Sequence, residues 1–196
     1  MLTDFIRTGT YDKRRPLLKT TSPSMDILVS SNLERLLYLM SGCDTALVAD
    51  LMAQLNETGA YTVSDSLKEA ISKEFWAAYS TDEGAAEAIG NVWKNHGYLM
   101  DTHTALAWKV AEDYVNQTGD HRPMVVLSTA SPYKFPAAVL EAIGGNLEGD
   151  EFDQMQRLHE VTAVAVPKNL ASLRGKPERH NTVIDKETML DFVLAL

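Results

Sequence analysis

The sequence predicts an α/β fold, in which a helix-rich lobe of three layers surrounds a parallel or mixed sheet. Amphipathic helical stretches alternate with short apolar runs, and this order is typical of a sheet covered by helices. Met124 to Leu127 is a continuous apolar run, as expected of a strand buried on both faces. Phe75 to Tyr79 is a second candidate strand, since it is short and rich in aromatic residues.

Capping residues mark where the predicted helices begin. Ser31 to Glu34 and Ser80 to Glu83 match the capping box, and Asp44 and Asp101 are placed to cap the helices that follow them. Glycines mark the predicted helix ends at Gly42, Gly59, Gly97 and Gly119. Further helices are predicted over residues 3–7, 132–143, 150–162 and 186–196.

The chain is expected to form one unit with three parts. Residues 1–23 are an irregular lead-in, residues 24–145 the α/β core, and residues 146–196 a helical extension. Length and composition suit a folded chain, because 45% of its 196 residues are hydrophobic and 23% are charged.

Charge and cysteine content exclude several classes of function. A net charge of −9 argues against a nucleic-acid or anionic-membrane surface, which would require basic patches. The basic cluster Lys13-Arg14-Arg15 is followed by Pro16, a pattern more typical of a solvated loop than of a binding patch. Cys43 is the only cysteine, so no intrachain disulfide or thiolate metal cluster can form. Without a signal peptide or spanning segment, the default location is the cytoplasm.

The end of the central predicted strand is the first candidate site. Small polar residues follow it, and Pro132 suits the first position of a helix. Ligands of α/β proteins bind outside the carboxyl ends of strands, where a helix N-terminus offers free N–H donors. We therefore expect chemistry between Ser128 and Lys134. Lys134 could reach an anion there, or could lie along the surface with its ammonium group in water.

A second candidate site lies at the predicted helix that begins after Asp101. Asp101, His103 and Thr104 could present a carboxylate and an imidazole toward a pocket. The alternative is structural: Asp101 caps the helix and His103 packs in its first turn. No metal site is expected, because the histidines lack paired zinc spacing and the acidic run 148–153 lacks the alternating carboxylates of a calcium loop. No G-x-S-x-G elbow supports a hydrolase triad.

Five motifs together resemble one enzyme family, the threonine synthases, over their C-terminal part. In order they are Leu2-Thr-Asp-Phe5, Ser22-Pro-Ser-Met-Asp-Ile27, Ser31-Asn-Leu-Glu-Arg-Leu36, Gly97-Tyr-Leu-Met-Asp-Thr-His-Thr104 and Ser128-Thr-Ala-Ser-Pro-Tyr-Lys-Phe135. The resemblance implies an incomplete portion of a fold-type II enzyme, related to the tryptophan synthase β subunit. Such enzymes use pyridoxal phosphate to convert O-phospho-L-homoserine and water into L-threonine and phosphate.

The resemblance also implies roles for individual residues. Thr129 matches the hydroxyl residue that faces the pyridine nitrogen of the cofactor, and its neighbours Ser128 and Ala130 are also expected to belong to the cofactor-binding site. The three residues of the second candidate site, together with Lys134, are also expected to line the active-site cleft. Those three are Asp101, His103 and Thr104. Four further residues of the family-like motifs could serve either substrate binding or packing: Ser24, Asp26, Asn32 and Arg35.

One departure from the family pattern affects the expected activity. The Schiff-base lysine and the loop that holds the cofactor phosphate lie upstream in this family, and no lysine here fits that position. We therefore expect the chain alone to be inactive, not to bind pyridoxal phosphate, and to need the N-terminal portion of the enzyme as its partner. Uncovered sheet edges would also favour self-association. The alternatives are a free-standing interaction or regulatory module with the same fold, and an enzyme acting through His103 and Asp101.

Overall fold

Ten α-helices carry most of the regular structure in the computed structural model, which describes residues 1–196. They are α1 Leu2–Thr8, α2 Ser31–Met40, α3 Thr45–Thr58, α4 Asp65–Glu74, α5 Asp82–His96, α6 Thr102–Thr118, α7 Pro136–Ala142, α8 Glu151–Thr162, α9 Lys168–Ala171 and α10 Met189–Leu194. Three 3-10 turns cover Pro23–Met25, Pro132–Lys134 and Lys186–Thr188. The helix-rich prediction is confirmed, since 57% of the residues are helical.

The sheet is smaller than the expected parallel or mixed one. It has two antiparallel strands, β1 Thr10–Asp12 and β2 Ala60–Thr62. Tyr11 and Tyr61 lie opposite each other, and their rings stack with centroids 5.5 Å apart. Both tyrosines are buried, so this small sheet belongs to the packing of the N-terminal half.

The prediction of a buried strand over Met124 to Leu127 is wrong. The segment is extended but forms no ladder, and Val125 and Leu127 are 82% and 72% exposed. Phe75 to Tyr79 likewise has no strand partner. Pairing needs a second extended segment alongside the first, and no segment of residues 1–196 forms a ladder with either of these two.

The buried apolar residues form two clusters. The N-terminal cluster joins α1 to α4 with both strands, and it contains Phe5, Tyr11, Leu33, Leu37, Leu51, Leu55, Tyr61, Val63, Leu67 and Ile71. The C-terminal cluster joins α5 to α8, and it contains Ala85, Ala88, Ile89, Val92, Leu99, Met100, Ala105, Tyr133, Val139, Leu140, Met155 and Leu158. Packing alone does not define domains, so the division into three parts stays a prediction.

Hydrogen bonds from the loop before α2 connect the two clusters. The Thr21 hydroxyl donates to Asp82 of α5 at 2.9 Å, and the Thr102 hydroxyl donates to the Thr21 carbonyl at 2.9 Å. The Ser24 amide donates to His103 Nε2 at 3.3 Å. These contacts fix the loop at residues 20–26 against the start of α6.

Helix ends follow local chemistry, with two corrections. Asp44 caps α3 by accepting from the Leu47 amide at 2.9 Å, as predicted. The capping box at Ser31 is wrong: the extended backbone that a cap requires falls at Ser30, which makes no side-chain cap bond. Thr81 replaces Ser80 as the cap of α5 for the same reason, since it has the extended conformation and accepts from the Gly84 amide.

The predicted helix over residues 132–143 is split. A 3-10 turn covers Pro132–Lys134, and α7 begins at Pro136. Phe135 adopts φ −134°, because a residue that precedes a proline avoids the helical region. At the C-terminus, the predicted helix over 186–196 is a 3-10 turn followed by the short α10. No helix is both long and apolar enough to cross a membrane.

Candidate functional site

A groove of about 1500 Å³ runs between the two clusters. Its lining comes from α1, the 3-10 turn at Pro23–Met25, one face of α6 and both unpaired extended segments. Thr129, Ala130, Lys134 and His103 all contribute to it. The groove thus gathers residues from both candidate sites.

Thr129 is presented to this groove at the end of the exposed segment. Its side chain is exposed and its hydroxyl has no hydrogen-bond partner within the chain. Ala130 follows it along the groove wall. Ser128 does not line the groove, and its hydroxyl lies 3.1 Å from the Tyr98 hydroxyl and 3.3 Å from Thr104 Oγ1. A free neutral hydroxyl at a groove wall suits contact with one polar atom of a flat aromatic ligand.

Asp101 is fully buried and serves the start of α6. Its Oδ1 accepts from the His103 amide at 2.9 Å and the Thr104 amide at 3.3 Å. Its Oδ2 accepts from the Thr104 hydroxyl. A buried carboxylate is stable only when such donors surround it, and here they are the free N–H groups of a helix N-terminus.

His103 has both ring nitrogens engaged. Nε2 accepts from the Ser24 amide at 3.3 Å, so the ring proton lies on Nδ1, which is 3.3 Å from Asp101 Oδ1. The ring also packs against Phe135, with centroids 5.3 Å apart. This geometry matches the capping and packing alternative for Asp101 and His103. Their role in a reaction stays a prediction.

Lys134 supplies an unpaired cation to the groove. Its ammonium lies 5.6 Å from the centre of the Phe135 ring, makes no ion pair, and is exposed. Lys73 is the other lysine in the lining, and it pairs with Glu69 at 3.6 Å. Lys134 is therefore available to an anionic group of a ligand.

Two charged groove residues, Asp120 and Arg122, escaped sequence reasoning. Arg122 donates to Asp120 through its guanidinium, at 2.6 Å from Nη2 to Oδ2, and the Tyr114 hydroxyl donates to the same oxygen at 2.9 Å. The Arg122 side chain and amide, followed by Tyr114, hold the pKa of Asp120 well below its usual range. In the sequence, this ion pair is indicated only by an aspartate and an arginine two residues apart, directly after the glycine that ends α6, Gly119.

The four unassigned family-like residues fall into two places. Ser24 and Asp26 line the groove, and Asp26 accepts from the amide and hydroxyl of Thr20 at 2.7 and 2.8 Å. Asn32 and Arg35 lie outside the groove lining and pair with each other at 2.9 Å. Both of these side chains are exposed, and their role stays a prediction.

Comparison with known proteins connects this arrangement to one family. The family model for the C-terminal part of threonine synthase matches residues 104–193. Threonine synthase from Pseudomonas aeruginosa is 35% identical over 179 residues, which are 90% of this chain and 37% of that protein. Human threonine synthase-like 1 is 39% identical over 144 residues, covering 73% of this chain and 19% of that protein.

Solved structures give the same result. A pyridoxal phosphate-bound threonine synthase from Brucella melitensis matches with a TM-score of 0.68 and 40% identity, over 83% of this chain and 37% of that one. Threonine synthase from yeast matches with a TM-score of 0.71 and 28% identity, over 86% of this chain and 34% of that one.

The chain therefore spans between about a fifth and just over a third of the length of these relatives. The matches to the P. aeruginosa and yeast enzymes nonetheless cover 90% and 86% of this chain. In sequence and in fold, the chain is homologous to the C-terminal region of threonine synthase, a fold-type II pyridoxal phosphate enzyme.

Proposed function

We propose that residues 1–196 form the C-terminal portion of a threonine synthase, which converts O-phospho-L-homoserine and water into L-threonine and phosphate. The homologous proteins bear this name, and one of them was solved with pyridoxal phosphate bound. In this chain the groove between the two clusters would form one wall of the active site. A cytoplasmic location stays a prediction.

The free hydroxyl of Thr129 is the observation that carries this proposal. The resemblance implies that this residue faces the pyridine nitrogen, and the hydroxyl lines a groove of about 1500 Å³. Pyridoxal phosphate, when bound, supplies an electron sink for the reaction. A hydroxyl is neutral and cannot hold the ring nitrogen charged, so Thr129 favours a weaker sink than an aspartate would.

Other residues of this wall have simpler tasks. The unpaired ammonium of Lys134 is suited to attract the phosphate of the substrate, which is an anion. Ala130 is small and leaves room for a ligand close to the backbone. Asp101, His103 and Thr104 fix the start of α6, and so hold the wall against which the substrate would lie.

We further propose that the chain has no activity alone. Of the lysines lining the groove, Lys73 is paired with Glu69, and Lys134 does not fit the family position of the lysine that bonds the cofactor. The N-terminal portion of the enzyme would supply that lysine and the loop for the cofactor phosphate. It would also supply partners for the extended segments at 75–79 and 123–127.

An assay of phosphate release from O-phospho-L-homoserine tests this function. The chain alone, with pyridoxal phosphate added, should release no phosphate above the rate without protein. A chimera in which this chain replaces the region it matches in the P. aeruginosa enzyme should release it. Activity from the chain alone would refute the proposed inactivity, and a folded but inactive chimera would refute the proposed function.

A further inference from the structure

The segment that presents Thr129 has almost no internal support. No backbone amide or carbonyl of residues 123–130 makes a hydrogen bond within the chain, because the segment has no strand partner. Most of its apolar side chains are exposed, including Met124, Val125 and Leu127. A separate anchor is therefore needed to fix the position of the Thr129 hydroxyl.

Ser128 supplies the only side-chain hydrogen bonds of this segment. Its Oγ lies 3.1 Å from the Tyr98 hydroxyl and 3.3 Å from Thr104 Oγ1. Thr104 is 3% exposed, so its hydroxyl belongs to the buried start of α6. Ser128 thus joins the unpaired segment to the buried start of α6.

The directions of these hydrogen bonds follow from counting protons. Thr104 has one hydroxyl proton, which is directed mainly to Asp101 Oδ2 and also faces Ser128 Oγ, because a carboxylate is a stronger acceptor than a serine hydroxyl. Ser128 Oγ accepts from the Tyr98 hydroxyl and, at the longer distance, from the Thr104 hydroxyl. Tyr98, Ser128, Thr104 and Asp101 thus form one connected set of hydrogen bonds that ends at a buried carboxylate, and the bonds of such a set strengthen one another.

We propose that Ser128 is a positioning residue, which holds the Thr129 hydroxyl in place through the chain Tyr98–Ser128–Thr104–Asp101. This inference rests on the proposed function for the ligand that Thr129 meets. It assigns to Ser128 a task distinct from contact with that ligand, since the side chain does not line the groove.

Backbone ¹⁵N relaxation of the full 196-residue chain, without cofactor, tests the positioning role. In the unchanged chain the order parameters of residues 128–130 should be about 0.85, and in Ser128→Ala they should fall below about 0.6. Tyr98→Phe should lower the order parameters as well, because it removes the hydroxyl that donates to Ser128. Tyr98 is half-exposed, so this change leaves the core intact. Ser128→Thr keeps the hydroxyl and should restore them. Ser66→Ala is the control, since Ser66 is an exposed serine whose hydroxyl lies 3.1 Å from that of Ser64.

Order parameters that stay unchanged in Ser128→Ala would overturn the proposal. A fall spread evenly over α6 would overturn it too, because that result would show general destabilisation.

A second measurement separates this proposal from the function itself: pyridoxal phosphate binding by the P. aeruginosa chimera. Weaker binding by about 3- to 10-fold in Ser128→Ala supports positioning. If Thr129→Val weakens binding and Ser128→Ala does not, positioning fails while the function stands. If neither changes binding, the function fails.

Discussion

At the scale of single residues, Asp120 joins the end of α6 to the exposed segment that carries Thr129. Its carboxylate accepts hydrogen bonds from the Arg122 guanidinium and from the Tyr114 hydroxyl. These two bonds close the turn after Gly119. The pKa of the carboxyl group is lowered well below its usual range, first by the Arg122 hydrogen bonds. A folded-state pKa below the unfolded value of about 3.9 stabilises the fold above that pH, and the stabilisation fades as pH falls below it.

We predict that Asp120→Asn lowers the urea midpoint of unfolding at pH 7, and that its difference from the unchanged chain shrinks between about pH 4 and pH 2. Urea titrations at several pH values measure this difference. Asp185→Asn is the control, because the Asp185 side chain makes no hydrogen bond. A difference between Asp120→Asn and the unchanged chain that stays constant down to pH 2 would contradict the assigned role.

At the scale of elements, sequence patterns located the helices better than the strands. A helix is fixed by nearby residues: Asp44 caps α3, Gly59 ends it, and the apolar stripe between them follows the helical period. A strand needs a distant partner, and the run Met124 to Leu127 has none within this chain. Its apolar composition was consistent with burial, but composition cannot show whether a neighbour is present.

The site shows the same limit. Sequence reasoning named Asp101, His103, Thr129 and Lys134 one segment at a time, and the last three of them do line one groove. It could not foresee that the Ser24 amide, 79 residues away, would occupy His103 Nε2. Contacts of this kind depend on how α6 packs against the loop at residues 20–26, which no local pattern encodes.

Helix capping supplies a prediction at this scale. Asp44→Ala should lower the free energy of unfolding by about 1 kcal/mol, because the Leu47 amide loses its acceptor. Ser31→Ala should change it by less than about 0.5 kcal/mol, because the Ser31 side chain caps nothing. Urea unfolding of the two variants at pH 7 measures both values. A larger loss from Ser31→Ala than from Asp44→Ala would show that the cap of α2 lies at Ser31 after all.

At the scale of the whole molecule, apolar surface remains open along the groove. Val125 and Leu127 are more than two thirds exposed, and the unpaired backbone beside them offers free donors and acceptors. Such surface favours association with another chain. The same feature agrees with the proposal that a further portion of the enzyme covers this side.

We predict that the isolated chain self-associates and that Val125→Lys weakens the association, because a charge in the contact must be desolvated. Light scattering coupled to size exclusion should show a mass that rises above 21.7 kDa with concentration. Thr182→Lys is the matched control, since it adds the same charge to an exposed position far along the chain. A mass of 21.7 kDa at every concentration would contradict the prediction.

The central claim is that the Thr129 hydroxyl forms part of a pyridoxal phosphate site completed by the rest of the enzyme. Equilibrium titration of the P. aeruginosa chimera with pyridoxal phosphate tests it most directly, with Thr182→Val as the control for removal of a hydroxyl. The account predicts that Thr129→Val weakens binding by about 3- to 10-fold and that Thr129→Ser restores it, since only the hydroxyl is needed. Unchanged affinity in Thr129→Val would contradict the account.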